Sequence, residues 1–270
     1  MPAPEADAGG LDGGLPAPSV PKVALVTGGV RRIGRALALA LADDGYAVAI
    51  HHRSAGSEAA SLVAEIERAG GHAVPLAADL ADEAAVTELL PQAMAALGPV
   101  GVLVNNASIF ENDTAATATR ESWDSHLAVN LRAPFVLTQQ FAALLPPEAG
   151  GAVVNLLDQR VWNLTPYFLS YTLSKSALWT LTQTLALALA PRIRVNGIGP
   201  GPAMPSPRQS PEQFERQCRM MPLGRGTGPR EIAAALRFIL AAPAMTGQMI
   251  ALDGGQHLGW AQPGQTPQVE

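Results

Sequence analysis

Short apolar runs alternate with longer amphipathic stretches along most of this chain. Runs at 23–26, 47–51, 73–76, 102–104, 153–156, 194–197 and 248–252 predict seven strands. Between them, periodic apolar positions predict helices over 32–43, 57–68, 83–97, 122–145, 168–189 and 230–240. Alternation of this kind makes an α/β fold, a Rossmann-type doubly wound parallel sheet with helices on both faces. No repeat and no linker interrupts the pattern after residue 21, so residues 21–262 are expected to form one domain. One stretch breaks the rhythm. Residues 199–222 contain Pro200, Pro202, Pro205, Pro207, Pro211 and Pro222 and read as a long irregular loop. In a compact domain such a loop is usually functional, most often a lid.

Composition then narrows the classes. The 270 residues carry a net charge of −5, so no global basic field invites nucleic acid or an anionic membrane. A single cysteine, Cys218, excludes an internal disulfide and suits a reducing cytoplasm. Residues 1–20 are rich in Gly, Pro, Ala and acids, without a basic start or an apolar centre, and read as a disordered tail; residues 263–270 read as a flexible one. The longest uncharged helical stretch, 176–191, is interrupted by Thr and Gln and is too short to span a bilayer. A membrane span is not expected, nor is a metal site.

Candidate chemistry begins with Tyr171 and Lys175, which at four residues' spacing share one helix face. An ammonium beside a phenol favours phenolate and pulls its pKa down from about 10 toward the range of a working proton donor. Lys175 is one of only two lysines among 18 cationic residues, and lysine, unlike arginine, can give up its proton. Asp158 ends the apolar run 152–157 and is expected to face the same spot from a strand tip.

The first strand runs into Thr27-Gly28-Gly29-Val30-Arg31-Arg32-Ile33-Gly34. Strand, glycine turn and helix start form the setting in which backbone amides cradle a pyrophosphate. Arg32 stands where the middle glycine of a Gly-x-x-x-Gly-x-Gly pattern would be. A cation there opposes the helix macrodipole, and an anionic ligand would offset that cost. The second strand ends in His51-His52-Arg53-Ser54, with no acid to hold ribose hydroxyls. Arg53, Ser54 and His52 suit a 2′-phosphate instead, which favours NADPH over NADH. Asp79, beyond the third strand, is placed either to accept from an adenine amine or to cap a nearby helix.

Taken together, these pieces resemble the short-chain dehydrogenase/reductase family over nearly all of residues 21–258. The glycine turn, Asp79, Asn105-Asn106-Ala107, Asn130, Tyr171/Lys175 and Pro200-Gly201 occur in the family's order. The resemblance implies that Tyr171 donates a proton and that Lys175 grips the nicotinamide ribose. It implies that Asn130 holds a water in a relay through Lys175, and that Asp158 completes the catalytic set. It places cofactor contacts at Gly28, Arg31, Arg32, Ile33, Gly34, His52, Arg53, Ser54, Asp79, Leu80, Asn106, Ala107, Ser108, Lys175, Pro200 and Gly201.

Most family members carry serine where this chain has Asp158. An ionised carboxylate cannot donate to a substrate carbonyl, but it welcomes ring N–H groups. Within the family the chain is similar to the pteridine reductase branch in Asp158, Arg32, the run His52-Arg53-Ser54, Asn106-Ala107-Ser108-x-Phe110, and the ending 253–258. That similarity implies substrate contacts from Arg32, Ser108, Phe110, Asp158 and Tyr171, with Phe110 stacking on a pterin. Three functions are therefore carried forward: a dihydropterin reductase, a ketone or 3-oxoacyl thioester reductase, and a cofactor-binding protein without turnover. Leu173, Ala177, Leu178, Leu181 and Leu185 give the helix at 168–189 more apolar surface than one core face needs, so a homotetramer is expected.

Overall fold

Strand β1 (Val23–Val26) is buried throughout, and its side chains divide between two cores as its period-two geometry requires. Ala24 and Val26 pack toward one layer of helices, Val23 and Leu25 toward the other. A computed structural model describes residues 18–259 of the chain. Around β1 lie β2 (Ala47–His52), β3 (Ala73–Ala77), β4 (Val102–Asn105), β5 (Gly151–Leu156), β6 (Ile193–Pro200) and β7 (Met249–Leu252). They form one seven-stranded sheet in the order β3-β2-β1-β4-β5-β6-β7, with every pair parallel. The expected fold class is the observed one.

Helices α1 (Arg32–Asp43), α2 (Gly56–Arg68) and α8 (Pro229–Ala241) cover the first face; α3 (Glu83–Leu97), α5 (Ala133–Leu144) and α6 (Leu169–Leu189) cover the second. Leu37, Leu41, Leu236 and Ile239 fill the first layer, and Leu89, Leu90, Leu137 and Phe141 the second, all almost fully buried. The chain leaves β1 toward β2 and β3 on one side, and re-enters at β4 on the other. The crevice above the ends of β1 and β4 is therefore the switch point where open α/β sheets take ligands.

Two predicted elements differ from those observed. The helix expected over 122–145 is broken: α4 (Arg120–Leu127) and α5 flank a π-helical turn, Ala128–Arg132. Pro134 explains the break, because it has no N–H for the Asn130 carbonyl four residues back. The segment 199–222 is not irregular throughout. Strand β6 extends to Pro200, and α7 (Pro211–Arg219) forms inside the supposed loop. Ser210 caps α7 in a capping box with Gln213, and Pro211 sits at the helix start, where a missing N–H costs nothing.

The tails expected at 1–20 and 263–270 lie outside the described residues, apart from 18–20, where the Ser19 carbonyl accepts from the Gly150 amide at 3.0 Å. On α6, Leu178 is buried within the chain's own core, with Leu181 and Leu185 packed beside core clusters, which leaves Leu173 and Leu187 as its exposed leucines. Among the described residues no helix is long and apolar enough to cross a membrane.

Candidate active site

Helix α6 begins on a strained residue. Phe168 is buried with φ +57°, a left-handed conformation rare for a bulky side chain and often found at functional sites. Its strain is held by a buried network. The Asn112 side chain accepts from the Phe168 amide at 3.2 Å, and Asp113 accepts from the Ser170 amide at 3.0 Å as well as from the Ser170 and Ser122 hydroxyls. Burial works against the Asp113 carboxylate, but these donors outweigh it and hold its pKa below the usual range. His126, fully buried, bridges Ser170 Oγ at 2.7 Å and the Glu111 amide at 3.2 Å, and burial lowers its pKa. The network joins the segment after β4 to the start of α6, and so sets where Phe110 and Tyr171 stand.

One turn into α6, the Tyr171 hydroxyl donates to Asp158 Oδ2 at 2.9 Å. Asp158 thus faces the phenol from the tip of β5, as its place in the sequence predicts. Lys175 is buried, and its ammonium donates to the Leu156 carbonyl at 2.7 Å. Desolvation lowers its pKa from 10.5 to about 8, opposed by the charge of Asp158. The expectation of an ammonium set directly against the phenol needs refinement. Lys175 Nζ lies 5.9 Å from the centre of the Tyr171 ring, so the phenol's own hydrogen bond goes to the carboxylate.

Asn130 falls in the π-helical turn. Its side chain receives the Ile109 amide at 2.8 Å and donates to the Ile109 carbonyl at 2.9 Å and to Ser174 Oγ at 3.0 Å. With the side chain so engaged, a water at this position would bond to the Asn130 main-chain carbonyl, which Pro134 deprives of its α-helical donor. Ser108 Oγ donates toward Asn130 Oδ1 at 3.2 Å.

The glycine turn is assembled from the predicted residues. Gly28 has φ +59°, and a Cβ on Gly34 would stand 2.1 Å from the Gly28 carbonyl, so both positions need glycine. Asn106 donates to the carbonyls of Thr27 and Gly28 at 2.9 and 3.0 Å, while the Asn106 and Ala107 amides meet Thr27 Oγ1. Behind them Asn105, Asn155 and Thr182 form a buried ladder at 2.8 Å per step across β4, β5 and α6. Arg31 is the N-cap residue of α1 and pairs with Glu58. His52 is buried at the end of β2, with Arg53 and Ser54 exposed just beyond. Asp79 accepts from the Ala81 amide at 2.9 Å, a turn contact ahead of α3, whose cap is Asp82; Leu80 is buried beside it.

Arg32, Ile33, Asn106, Ser108, Phe110, Asp158, Tyr171, Lys175, Pro200 and Gly201 line one cavity. Of the other predicted cofactor residues, Gly28, Arg31 and Gly34 belong to the glycine turn and the start of α1, and His52 to the end of β2. Phe110 is not a bare plate: one face stacks on Phe168 with centroids 4.3 Å apart and planes 3° from parallel.

Two arginines in this cavity's surroundings escaped the sequence. Arg160 lies within 3.5 Å of Asp158 and over the Phe110 and Phe168 rings. Arg208 pairs with Glu111 at 2.9 Å and donates to the Phe110 carbonyl at 2.9 Å. Arg32, from the glycine turn, donates to the carbonyls of Pro205 and Met204 at 2.8 and 3.2 Å. Together Arg32 and Arg208 strap the segment between β6 and α7 across the cavity.

A glycine turn at the switch point of a parallel sheet, with a Tyr/Lys pair opposite, defines a dinucleotide-dependent oxidoreductase. Residues 28–257 match the family model described as enoyl-(acyl carrier protein) reductase. A 3-oxoacyl-[acyl-carrier-protein] reductase from Synechocystis is 32% identical over 87% of this chain and 96% of its own. Among solved structures, FolM alternative dihydrofolate reductase 1 from Brucella suis, in complex with NADP, is 49% identical with a TM-score of 0.86, covering 90% of this chain and 97% of its own. A blue fluorescent protein from a metagenomic library, in complex with NADPH, is 35% identical with a TM-score of 0.80 over 86% of this chain and 96% of its own. The chain belongs to the short-chain dehydrogenase/reductase family.

Proposed function

We propose that the protein is an NADPH-dependent reductase of a pterin-type heterocycle, converting a dihydropterin to its tetrahydro form. One observation carries the reading: the Tyr171 hydroxyl donates to a carboxylate, Asp158, at 2.9 Å. An acceptor therefore stands where a ketone oxygen would need a donor, and ring N–H groups are what an acceptor recognises. The 49% identical Brucella suis structure, named as a dihydrofolate reductase and holding NADP, supports it.

The crevice fits a dinucleotide. The helix α1 opens on it behind two required glycines, and the buried His52 Nδ1 has no hydrogen-bond partner among the described residues. Arg53, Ser54 and His52 would hold the 2′-phosphate, with Asp79 and Leu80 toward the adenine. Gly28, Arg31, Arg32, Ile33 and Gly34 would hold the pyrophosphate. Asn106, Ala107, Ser108, Lys175, Pro200 and Gly201 would hold the nicotinamide half. When bound, NADPH supplies a hydride.

The protein's own part is binding and proton delivery. Asp158 reads ring N–H groups, Arg32 and Ser108 contact the heterocycle's edge, and Phe110 packs on its plane. Tyr171 hands its proton to a ring nitrogen, and a water on the Asn130 carbonyl, reached through Lys175, returns it. The same reading takes the enzyme to be cytoplasmic and homotetrameric, with the exposed Leu173 and Leu187 of α6 available for assembly.

A second reading, a 3-oxoacyl thioester reductase, is favoured by the 32% identical relative and by the family model's description. Following NADPH absorbance with a dihydropterin, dihydrofolate and an acetoacetyl thioester separates the two. The first reading expects turnover of the heterocycles, and turnover of the thioester alone would replace it with the second.

A further inference from the structure

We infer that His51 is a positioning residue for the cofactor cradle, tying the glycine turn to the exit of β3 through one uncharged imidazole. His51 sits at the end of β2 and is 2% exposed, too enclosed to touch a ligand itself. Its Nδ1 accepts from the Gly28 amide at 3.1 Å, and its main-chain carbonyl accepts from the next amide, Gly29, at 3.0 Å. One residue thereby holds two successive amides of the turn. On the other side of the ring, Nε2 meets the Ala78 carbonyl at 3.0 Å, directly before Asp79.

Chemistry fixes the tautomer. A backbone N–H points at Nδ1, so that nitrogen must be bare, and the proton sits on Nε2, where Ala78 accepts it. A second proton would set Nδ1–H against the Gly28 N–H, and one of them would have to move. Gly28 has little room to do so, because a Cβ there would already stand 3.1 Å from the Ala107 Cα. Burial, the largest influence, lowers the His51 pKa below 6.5 and keeps the ring neutral; the Ala78 bond and Asp79 oppose it, and His52 on the same strand adds to it. Acidification therefore loosens the turn that would cradle the pyrophosphate.

Dissociation constants for NADH and NADPH, read by fluorescence at about pH 8 and about pH 5.5, test this. NADH is the sharper probe because it lacks the 2′-phosphate, which itself titrates near pH 6. Wild type is expected to lose NADH affinity as the pH falls below 6.5, the loss deepening as His51 takes up its proton. His51→Gln keeps one acceptor and one donor but cannot titrate, so it should bind nearly as wild type at the higher pH and lose little at the lower. His51→Leu should bind about tenfold more weakly at both.

The inference is overturned if wild type and His51→Gln lose affinity in parallel. It is also overturned if His51→Leu binds NADH normally, or if His52→Gln abolishes the acid loss instead. It rests on the crevice being a dinucleotide site, and failure of that reading would show as no binding by wild type at any pH. Melting of the ligand-free protein, compared between wild type and His51→Gln, then reads His51 without the dinucleotide. A depressed His pKa contributes stability that is present above about 6.5 and lost as pH falls through the folded value. His51→Gln should flatten that decline, and an unchanged decline would refute the role.

Discussion

The two sides of the crevice are held by different kinds of bond. Around the glycine turn, short uncharged groups close on the backbone, Asn106 on Thr27 and Gly28 and His51 on Gly28, with the side-chain ladder Asn105–Asn155–Thr182 behind them. On the substrate side, arginines reach across open space: Arg32 to Pro205, Arg208 to Glu111 and Phe110, Arg160 toward Asp158. Buried hydrogen bonds are costly to break, whereas a half-exposed ion pair such as Arg208–Glu111 contributes about 0–1 kcal/mol. The glycine turn is thus held mainly by buried bonds to the backbone, and the segment between β6 and α7 by more exposed arginine contacts.

The largest expected effect lies where the two sides meet. Tyr171→Phe keeps the ring and removes the transferable proton, so kcat/KM should fall about 10²–10⁴-fold while NADPH binding stays near wild type. Near-normal turnover would take Tyr171 out of the mechanism and leave Asp158 or water as donor.

Next comes the outer edge of the cofactor side. Arg53→Ala should weaken NADPH by about ten- to a hundredfold and leave NADH nearly unchanged, the consequence of losing one charge-assisted phosphate contact. Equal losses for both cofactors would show that Arg53 does not read the phosphate.

A pH titration separates chemistry from folding. Lys175 loses its proton near pH 8 when folded, against 10.5 for its ordinary value. The folded state therefore binds fewer protons between those values, and its stability gains as pH rises from 8 toward 10.5. Turnover that depends on the ammonium should decline several-fold over the same range. Turnover flat to the alkaline end would show that the charge on Lys175 is not used.

The smallest effect belongs to the strap. Arg208→Ala removes a half-exposed ion pair, so KM for the reducible substrate should rise about two- to fivefold while the NADPH constant stays put. A loss on the cofactor side instead would show that the two sides are not separable.

Legibility follows the same division. The glycine turn and the Tyr171/Lys175 pair were readable because their determinants are local: Gly28 and Gly34 flank one turn, Tyr171 and Lys175 one helical turn, and the apolar runs are covered on both faces. The substrate side depends on partners far apart in the chain, as with Arg208 and Glu111, and no periodicity announces them. Prolines misled where their position mattered more than their presence. Pro211 starts a helix, and Pro134 breaks the α-helical pattern rather than ending the helix. His51 closes an apolar run and His126 sits on a polar helix, and only their buried hydrogen bonds reveal what they hold.

The central claim is that Asp158 selects a heterocycle presenting N–H groups. Its most direct test is Asp158→Ser, assayed by NADPH consumption with a dihydropterin and with an acetoacetyl thioester, alongside NADPH binding. The account predicts that dihydropterin turnover collapses, NADPH binding is nearly unaffected, and activity on the carbonyl substrate rises, because a hydroxyl can donate where a carboxylate cannot. A serine variant that still reduces the dihydropterin at the wild-type rate would contradict it.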